Sequence, residues 1–118
     1  KWYGTGFITY SNTAKTKVLG VKKETLRNFG AVSEEVVCEM VEGALSLSNS
    51  QLGVAISGIA GPGGGTKERP VGTVCIAWLR EGEEVHSTTE LFSGNRNEVR
   101  YATVECALIN AIRLIKEN

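Results

Sequence analysis

The glycine-rich stretch at residues 58–70 limits the fold of this chain more than any other feature of its sequence. It contains five of the 14 glycines and both prolines, so neither a helix nor a strand can continue through it. A short apolar run at residues 52–57 precedes it, and a run rich in β-branched and aromatic residues at 71–79 follows it. These runs predict two strands joined by an irregular loop, with the first strand buried.

Helical patterns lie on both sides of these strands. Ser33 is a good N-cap for a helix over residues 33–48, with Val32 and Val37 placed as a hydrophobic staple. Asn95 and Glu98 fit a capping box at the start of a last helix over residues 95–116. Each helix has a predicted apolar face at helical spacing: Val36, Met40, Val41, Ala44 and Leu47 in the first, and Val99, Ala102, Cys106, Ile109 and Ile112 in the last.

The remaining patterns complete a mixed α/β chain. Residues 5–10 predict a strand, residues 13–19 a short helix, and residues 22–28 one or two further helical turns. The turn signal at residues 81–83 predicts that residues 71–79 and 85–92 form an antiparallel hairpin. Without repeats or a linker, residues 1–118 are expected to form one layered α/β domain.

Charge and cysteine content narrow the classes of function. Lys plus Arg and Asp plus Glu number 13 each, and no apolar run reaches the ~20 residues of a membrane span. We therefore expect neither nucleic-acid nor membrane binding, both of which favour a basic excess. Cys38, Cys75 and Cys106 form no paired motif with the single His86, so no metal site is expected. Unpaired cysteines favour a reducing, cytoplasmic location.

The glycine-rich loop is the first candidate for chemistry. Glycines let a ligand approach the main chain, and successive free N–H groups can form a nest for an anion. The loop is not a Walker A motif, because Thr66 precedes Lys67 and a strand follows. The alternative is a simple flexible connection.

Two further segments carry candidate residues. At the end of the first predicted strand, Tyr10 could donate or accept a hydrogen bond and a partly buried Lys15 could act as a base. The alternative is a capped surface helix with a solvated lysine. At the start of the last helix, Arg96 could bind a phosphate group. The alternative there is a surface arginine paired with Glu98 or another neighbour. A Ser-His-Asp triad is not expected, because these 118 residues include no aspartate.

Together these segments resemble the CinA C-terminal domain family over nearly the whole chain and in the same order. The matching motifs are Thr-Tyr-Ser-Asn at residues 9–12, Ala-Lys at 14–15, Leu-Gly-Val at 19–21, Gly-Ala-Val-Ser-Glu-Glu-Val at 30–36, Ser-Gly-Ile-Ala-Gly-Pro-Gly-Gly at 57–64, Lys-Glu-Arg-Pro-Val-Gly-Thr-Val at 67–74, and Phe-Ser-Gly-Asn-Arg at 92–96 with Arg100.

The resemblance implies a nicotinamide-nucleotide amidase, which converts nicotinamide mononucleotide and water into nicotinic acid mononucleotide and ammonia. It implies a three-layer α/β/α sandwich with a mixed, mostly parallel sheet, a homodimer and no cofactor or metal. The family also has a Glu-Ser-Cys-Thr-Gly-Gly motif with the presumed nucleophilic serine, which this sequence lacks. We therefore expect a domain incomplete at its N-terminus, with one sheet strand and flanking helices before Lys1, and no activity in this polypeptide alone.

The resemblance also implies roles for individual residues. Lys15 would be the catalytic base and Tyr10 would position it or relay a proton. The nucleotide substrate would be bound by Asn12, Ser57, Gly58, Ala60, Gly61, Gly63, Gly64, Arg96 and Arg100. Two alternatives remain open: a non-catalytic nucleotide-binding module, and a structural or regulatory domain whose glycine-rich loop serves a partner.

Overall fold

The computed structural model describes residues 19–48 and 50–116. The predicted strand at residues 5–10 and all but the last residue of the predicted helix at 13–19 lie outside this part of the chain. Each of the other predicted elements is confirmed, with its ends shifted by at most two residues. The elements are α1 (Lys23–Phe29), α2 (Glu34–Ser48), β1 (Leu52–Gly58), β2 (Thr73–Arg80), β3 (His86–Leu91) and α3 (Arg96–Lys116).

The two long helices begin where the capping residues predict. The Ser33 hydroxyl accepts a hydrogen bond from the Val36 amide at 3.2 Å, which satisfies one free donor in the first turn of α2. At α3, the Glu98 amide donates to Asn95 Oδ1 at 2.9 Å and the Asn95 amide donates to Glu98 Oε1 at 2.8 Å. The predicted capping box is therefore confirmed, and it fixes the first turn of α3.

The described strands form a sheet in the order β1-β2-β3, with both pairs antiparallel. The predicted hairpin of β2 and β3 is confirmed. The expectation of a mostly parallel sheet is wrong for these strands, since a parallel pair needs a crossover connection, usually a helix. The chain instead turns back between β1 and β2. The Ile59 amide donates to Thr73 O at 2.9 Å and the Gly72 amide donates to Ile59 O at 2.7 Å.

Strand β2 is buried on both faces and divides the core into two clusters. On one face Cys75 and Ala77 pack against α2, with Val36, Val37, Met40 and Val41 as the buried helix residues. On the other face Val74, Ile76 and Trp78 pack against α3, with Val99, Ala107 and Ala111 as the buried helix residues. The mixed α/β class is thus confirmed, and the described sheet has a helix on each face.

The predicted buried faces of three elements need correction. In α3 the buried residues repeat every fourth position as Val99, Thr103, Ala107 and Ala111, whereas Ile109 and Ile112 are about half exposed. The small side chains let this face of the helix lie close to the sheet, so larger apolar residues point elsewhere. In α2, Leu47 is exposed. In β1, Val54 and Ile56 are partly exposed because α3 lies over β2. Strand β1 is therefore buried on one face only.

Among the described helices, none combines the length and apolar character that a membrane span requires.

Candidate ligand site

A cavity of about 420 Å³ lies between the end of β1 and the first turns of α3. Of the residues predicted from the sequence to bind substrate, it brings together Gly58, Ala60, Arg96 and Arg100. The rest of its wall is mainly apolar and comes from Ile56, Val74, Val99 and Val104. A volume of this size suits a small organic ligand.

Helical spacing places the two arginines at the cavity. Residues 96, 100 and 103 are separated by four and three positions, so they lie on one face of α3. Val99, which is 1% exposed, packs in the core beside Val74 and holds this turn against the sheet. The capping box fixes the turn before it. Both guanidinium groups are thus carried by a rigid element.

Arg96 forms a specific contact with the glycine-rich loop. Its Nη1 atom donates to the Gly61 carbonyl at 2.7 Å. The alternative in which Arg96 pairs with Glu98 is not what the structure shows, because no ion pair joins these two side chains. Arg96 therefore joins the start of α3 to the loop and keeps other N–H donors for a ligand.

The electrostatics of the cavity favour an anion. In the described ranges, the single ion pair joins Arg80 to Glu83, at 3.9 Å. Neither Arg96 nor Arg100 has a carboxylate partner there, and both lie in the first two turns of α3, where the helix dipole also attracts negative charge. A cationic rim over an apolar floor suits a ligand with an anionic group and a flat ring.

Glycine-rich loop residues lie at different depths. Gly61 is buried at φ 93°, and a Cβ there would meet Val71 Cγ1 at 2.6 Å, so the close packing requires glycine. Gly63 and Gly64 lie on the exposed outer part of the loop and do not line the cavity. Within the described chain, the amides of Gly63, Gly64 and Gly65 meet no hydrogen-bond acceptor. As far as the described residues go, these three donors are available to an anionic ligand.

Ser57 lies on the opposite face of the sheet from the cavity. Its register partner is Cys75, which belongs to the cluster under α2. The buried Ser57 hydroxyl donates to Ala31 O at 2.7 Å. Here it attaches the end of β1 to the connection between α1 and α2. Its predicted contact with substrate stays a prediction.

Other candidates are either outside the described residues or inert. Tyr10, Asn12 and Lys15 lie in the part of the chain that the structure does not describe, so their roles stay predictions. All three cysteines are free thiols, and burial is the main cause that raises the pKa of each. Raised pKa values make them poor nucleophiles at neutral pH. Over residues 19–48 and 50–116, no group of side chains is suited to bind a metal ion.

The apolar wall of the cavity and one polar contact were not predicted from the sequence. Thr103 and Val104 follow Arg96 and Arg100 at helical spacing, and that spacing alone would have grouped them. Arg69, at the far end of the glycine-rich loop, donates from Nε to Val32 O and from Nη2 to Phe29 O. No sequence signal predicts that contact, because it joins loops 37 and 40 residues apart.

Fold and cavity together define the class: an α/β domain with a ligand-sized site where a glycine-rich loop meets the start of a helix. Comparison with known proteins makes the assignment specific. The profile of the CinA C-terminal domain family matches residues 1–115. The chain belongs to the CinA C-terminal domain family.

Relatives and solved structures agree with this assignment. Over 107 residues the chain is 50% identical to the nicotinamide-nucleotide amidohydrolase PncC of Escherichia coli K12, covering 91% of this chain and 65% of that protein. The protein of the same name from Enterobacter agglomerans is 44% identical, with coverage of 99% and 71%. The crystal structure of the competence/damage inducible protein CihA from Agrobacterium tumefaciens superposes with a TM-score of 0.90 at 45% identity, covering 92% and 67%. The chain thus spans about two thirds of the length of these proteins.

Proposed function

We propose that the complete protein hydrolyses the carboxamide of nicotinamide mononucleotide, giving nicotinic acid mononucleotide and ammonia in the cytoplasm. The observation that carries the proposal is the cavity with two arginines, free of carboxylate partners in the described chain, above an apolar floor. That arrangement matches a nucleotide with one phosphate and one flat ring. The names of the E. coli and E. agglomerans relatives supply the reaction.

Each part of the described site has a role in this proposal. Arg100 binds the phosphate together with the unused N–H donors of Arg96, which lines the same cavity. The amides of Gly63 and Gly64 would contribute from the outer part of the loop, outside the cavity. The apolar wall from Ile56 to Val104 accommodates the ring and excludes water from its faces. Gly58 and Ala60 allow the ligand to approach the main chain.

The chemical steps are assigned to residues outside the described part of the chain. A nucleophile attacks the carboxamide carbon, main-chain N–H groups stabilise the oxyanion, and the C–N bond breaks as ammonia receives a proton. Water then attacks the acyl-enzyme ester, which releases nicotinic acid mononucleotide and returns the proton to the nucleophile. We propose Lys15 as the base that activates the nucleophile and Tyr10 as the residue that positions it. Asn12 would contact the substrate. The nucleophile itself would be the serine of the Glu-Ser-Cys-Thr-Gly-Gly motif, which this sequence does not contain.

Substrate binding can be tested at Arg100. In the complete protein, Arg100→Gln should raise KM for nicotinamide mononucleotide at least about tenfold, because a hydrogen bond to a charged group contributes about 1.5–3 kcal/mol. Its matched control is Arg113→Gln, which removes an exposed arginine near the other end of the same helix. An unchanged KM in Arg100→Gln would move the phosphate site elsewhere.

Catalysis can be tested separately at Lys15. Lys15→Ala should lower kcat by about 10²–10⁴, the usual contribution of general acid–base catalysis, with little change in KM. The polypeptide of 118 residues by itself should show no turnover. Turnover close to that of the unaltered protein in Lys15→Ala would remove this lysine from the reaction.

Two other functions are distinguished by stability measurements. A ligand that binds only the folded state raises its stability by about 2.7 kcal/mol at 100 times Kd. Thermal stabilisation by nicotinamide mononucleotide without turnover would indicate a nucleotide-binding module. Neither stabilisation nor turnover would indicate a structural or regulatory domain. We also propose that the complete protein is a homodimer, which sedimentation analysis would establish.

A further inference from the structure

The connection between α1 and α2 accepts side-chain hydrogen bonds along its whole length. The acceptors are the consecutive carbonyls of Phe29, Gly30, Ala31 and Val32. Ser33 Oγ donates to Gly30 O at 2.8 Å, and Ser57 Oγ donates to Ala31 O at 2.7 Å. Arg69 donates the other two hydrogen bonds, from Nη2 to Phe29 O at 3.4 Å and from Nε to Val32 O. One guanidinium group therefore holds both ends of the connection.

Arg69 is itself part of a closed turn in the glycine-rich loop. The Thr66 amide donates to Arg69 O at 2.9 Å, and the Arg69 amide donates to Thr66 Oγ1 at 3.0 Å. The loop is packed tightly beside this turn, since a Cβ on Gly65 would lie 2.7 Å from the Val71 nitrogen. A contact made by the Arg69 side chain therefore fixes residues 65–70, which form the far limb of the loop.

The loop is consequently fixed at two places. Arg96 holds its near limb at the Gly61 carbonyl, and Arg69 holds its far limb at the α1–α2 connection. Between these two attachments lie Gly63, Gly64 and Gly65. Their amides meet no acceptor among the residues that the structure describes, and successive amides of this kind can form a nest for an anion. Three glycines in succession would otherwise sample many conformations.

We propose that Arg69 is a positioning residue for substrate binding: by attaching the far limb of the glycine-rich loop to the α1–α2 connection, it holds the loop amides in their anion-binding arrangement. The inference rests on the proposed function for the identity of the substrate. When only a fraction of molecules has the competent loop, the apparent dissociation constant rises by the inverse of that fraction. Lysine replaces this contact poorly, because it lacks the planar fork that reaches two carbonyls.

Kinetics of the complete protein provide the first test. Arg69→Gln should raise KM for nicotinamide mononucleotide about fivefold, with kcat within about twofold, if the attachment contributes about 1 kcal/mol. Arg69→Lys should give a smaller increase. The matched control is Arg80→Gln, which also removes an arginine-to-carbonyl hydrogen bond, from Nη1 to Leu114 O at 3.0 Å, at the other end of β2. Its KM should not change. An unchanged KM in Arg69→Gln would overturn the proposal.

Limited proteolysis provides a second test that needs no turnover. Trypsin cuts after Lys67, which is exposed in the loop, but not after residue 69, because Pro70 follows it. The same bond therefore reports on the loop in every variant. Cleavage after Lys67 should be faster in Arg69→Gln than in the unaltered protein or Arg80→Gln. Equal rates would show that Arg69 does not fix the loop, and would overturn the proposal.

Inorganic phosphate separates this inference from the proposed function. It should slow cleavage after Lys67 in the unaltered protein, and protect Arg69→Gln only at several-fold higher concentration. If the unaltered protein does not hydrolyse nicotinamide mononucleotide, the proposed function fails, but a difference in phosphate protection still supports the positioning role. Equal protection of the two proteins, or protection of neither, would overturn that role.

Discussion

Gly72 lies at the start of β2, where three parts of the chain meet. Its amide donates to Ile59 O at 2.7 Å and its carbonyl accepts from the Phe92 amide at 2.9 Å. Its φ of 98° is in the region that favours glycine. A Cβ there would lie 2.1 Å from Phe92 O. Backbone conformation and space both require glycine at this residue.

Replacing Gly72 should therefore be costly. Gly72→Ala should lower the free energy of unfolding by about 2 kcal/mol or more, because it adds backbone strain to a clash with a main-chain oxygen. Gly63→Ala is the matched control, since its Cβ would meet nothing within 4 Å. Urea unfolding of both variants measures the difference. Equal stabilities would show that the strand ends can separate at little cost.

For single residues, the sequence indicated which residues matter better than it indicated which way their side chains point. Arg96 was expected at the start of α3 and lies at the cavity, but its hydrogen bond to Gly61 O depends on a loop 35 residues away. Ser57 and Gly58 are neighbours, yet successive side chains of a strand point to opposite faces. No local pattern states which face has the cavity, so the Ser57 hydrogen bond to Ala31 O could not be foreseen.

Glu34 joins two elements, the first turn of α2 and strand β3. Its carboxylate accepts hydrogen bonds from Ser87 Oγ and Thr89 Oγ1, each at 2.7 Å. The bond from Thr89 and then that from Ser87 hold the pKa of Glu34 below its ordinary value, against an opposing effect of burial. The position in the first turn of α2 also favours the charged form.

The consequence is a dependence of stability on pH. A lowered folded-state pKa gives stability that is present above the unfolded-state pKa, near 4.5, and is lost as pH falls through the folded-state value. Glu34→Gln should therefore destabilise the protein at pH 7, and the difference from the unaltered protein should shrink below about pH 4.5. Urea unfolding across pH 3–7 measures it. A difference independent of pH would show that the charge contributes nothing.

The capping box of α3 gives a second prediction for an element. Asn95→Ala should lower the free energy of unfolding by about 1 kcal/mol, because it leaves the Glu98 amide without its acceptor. The control is Asn97→Ala, at an exposed position two residues further along the chain. Thermal unfolding compares the two. A loss no larger in Asn95→Ala than in Asn97→Ala would argue that water replaces the cap.

The positions of helices and strands could be predicted from the sequence better than the way in which they pack. Ser33, Asn95 and Glu98 are local signals, so the starts of α2 and α3 could be predicted closely. The direction of β1 relative to β2 could not, because it depends on how the loop at residues 59–72 turns back. Nor could the buried face of α3, since apolar residues occupy more than one side of that helix and only its packing selects Ala107 and Ala111.

On the scale of the whole molecule, β2 connects the two hydrophobic clusters. Alternate residues of this one strand face α2 and α3, and Ile76 is completely buried. Trp78 adds a polar connection, since its Nε1 donates to Ala107 O at 3.0 Å. Neither helix layer can lose its packing without exposing β2, so the described part of the chain should unfold as one cooperative unit.

Ile76→Ala tests this cooperativity. Removing this side chain should cost about 2–5 kcal/mol, through lost burial and the cavity left behind. Hydrogen exchange should increase together in α2 and α3, although Ile76 faces only α3. The comparison is Val104→Ala, at a position that is 54% exposed on α3, which should change exchange little. Increased exchange confined to α3 would show that the two layers open independently.

The row of acceptors at residues 29–32 has a consequence for how such domains can vary. An added or deleted amino acid there would shift every carbonyl after it away from its donor, leaving oxygens unpaired and releasing Arg69 from one or both contacts. In the exposed turn at residues 81–84, no carbonyl accepts a hydrogen bond from a side chain of the described residues. Length differences among homologous chains should accumulate at that turn and be rare between the first two helices.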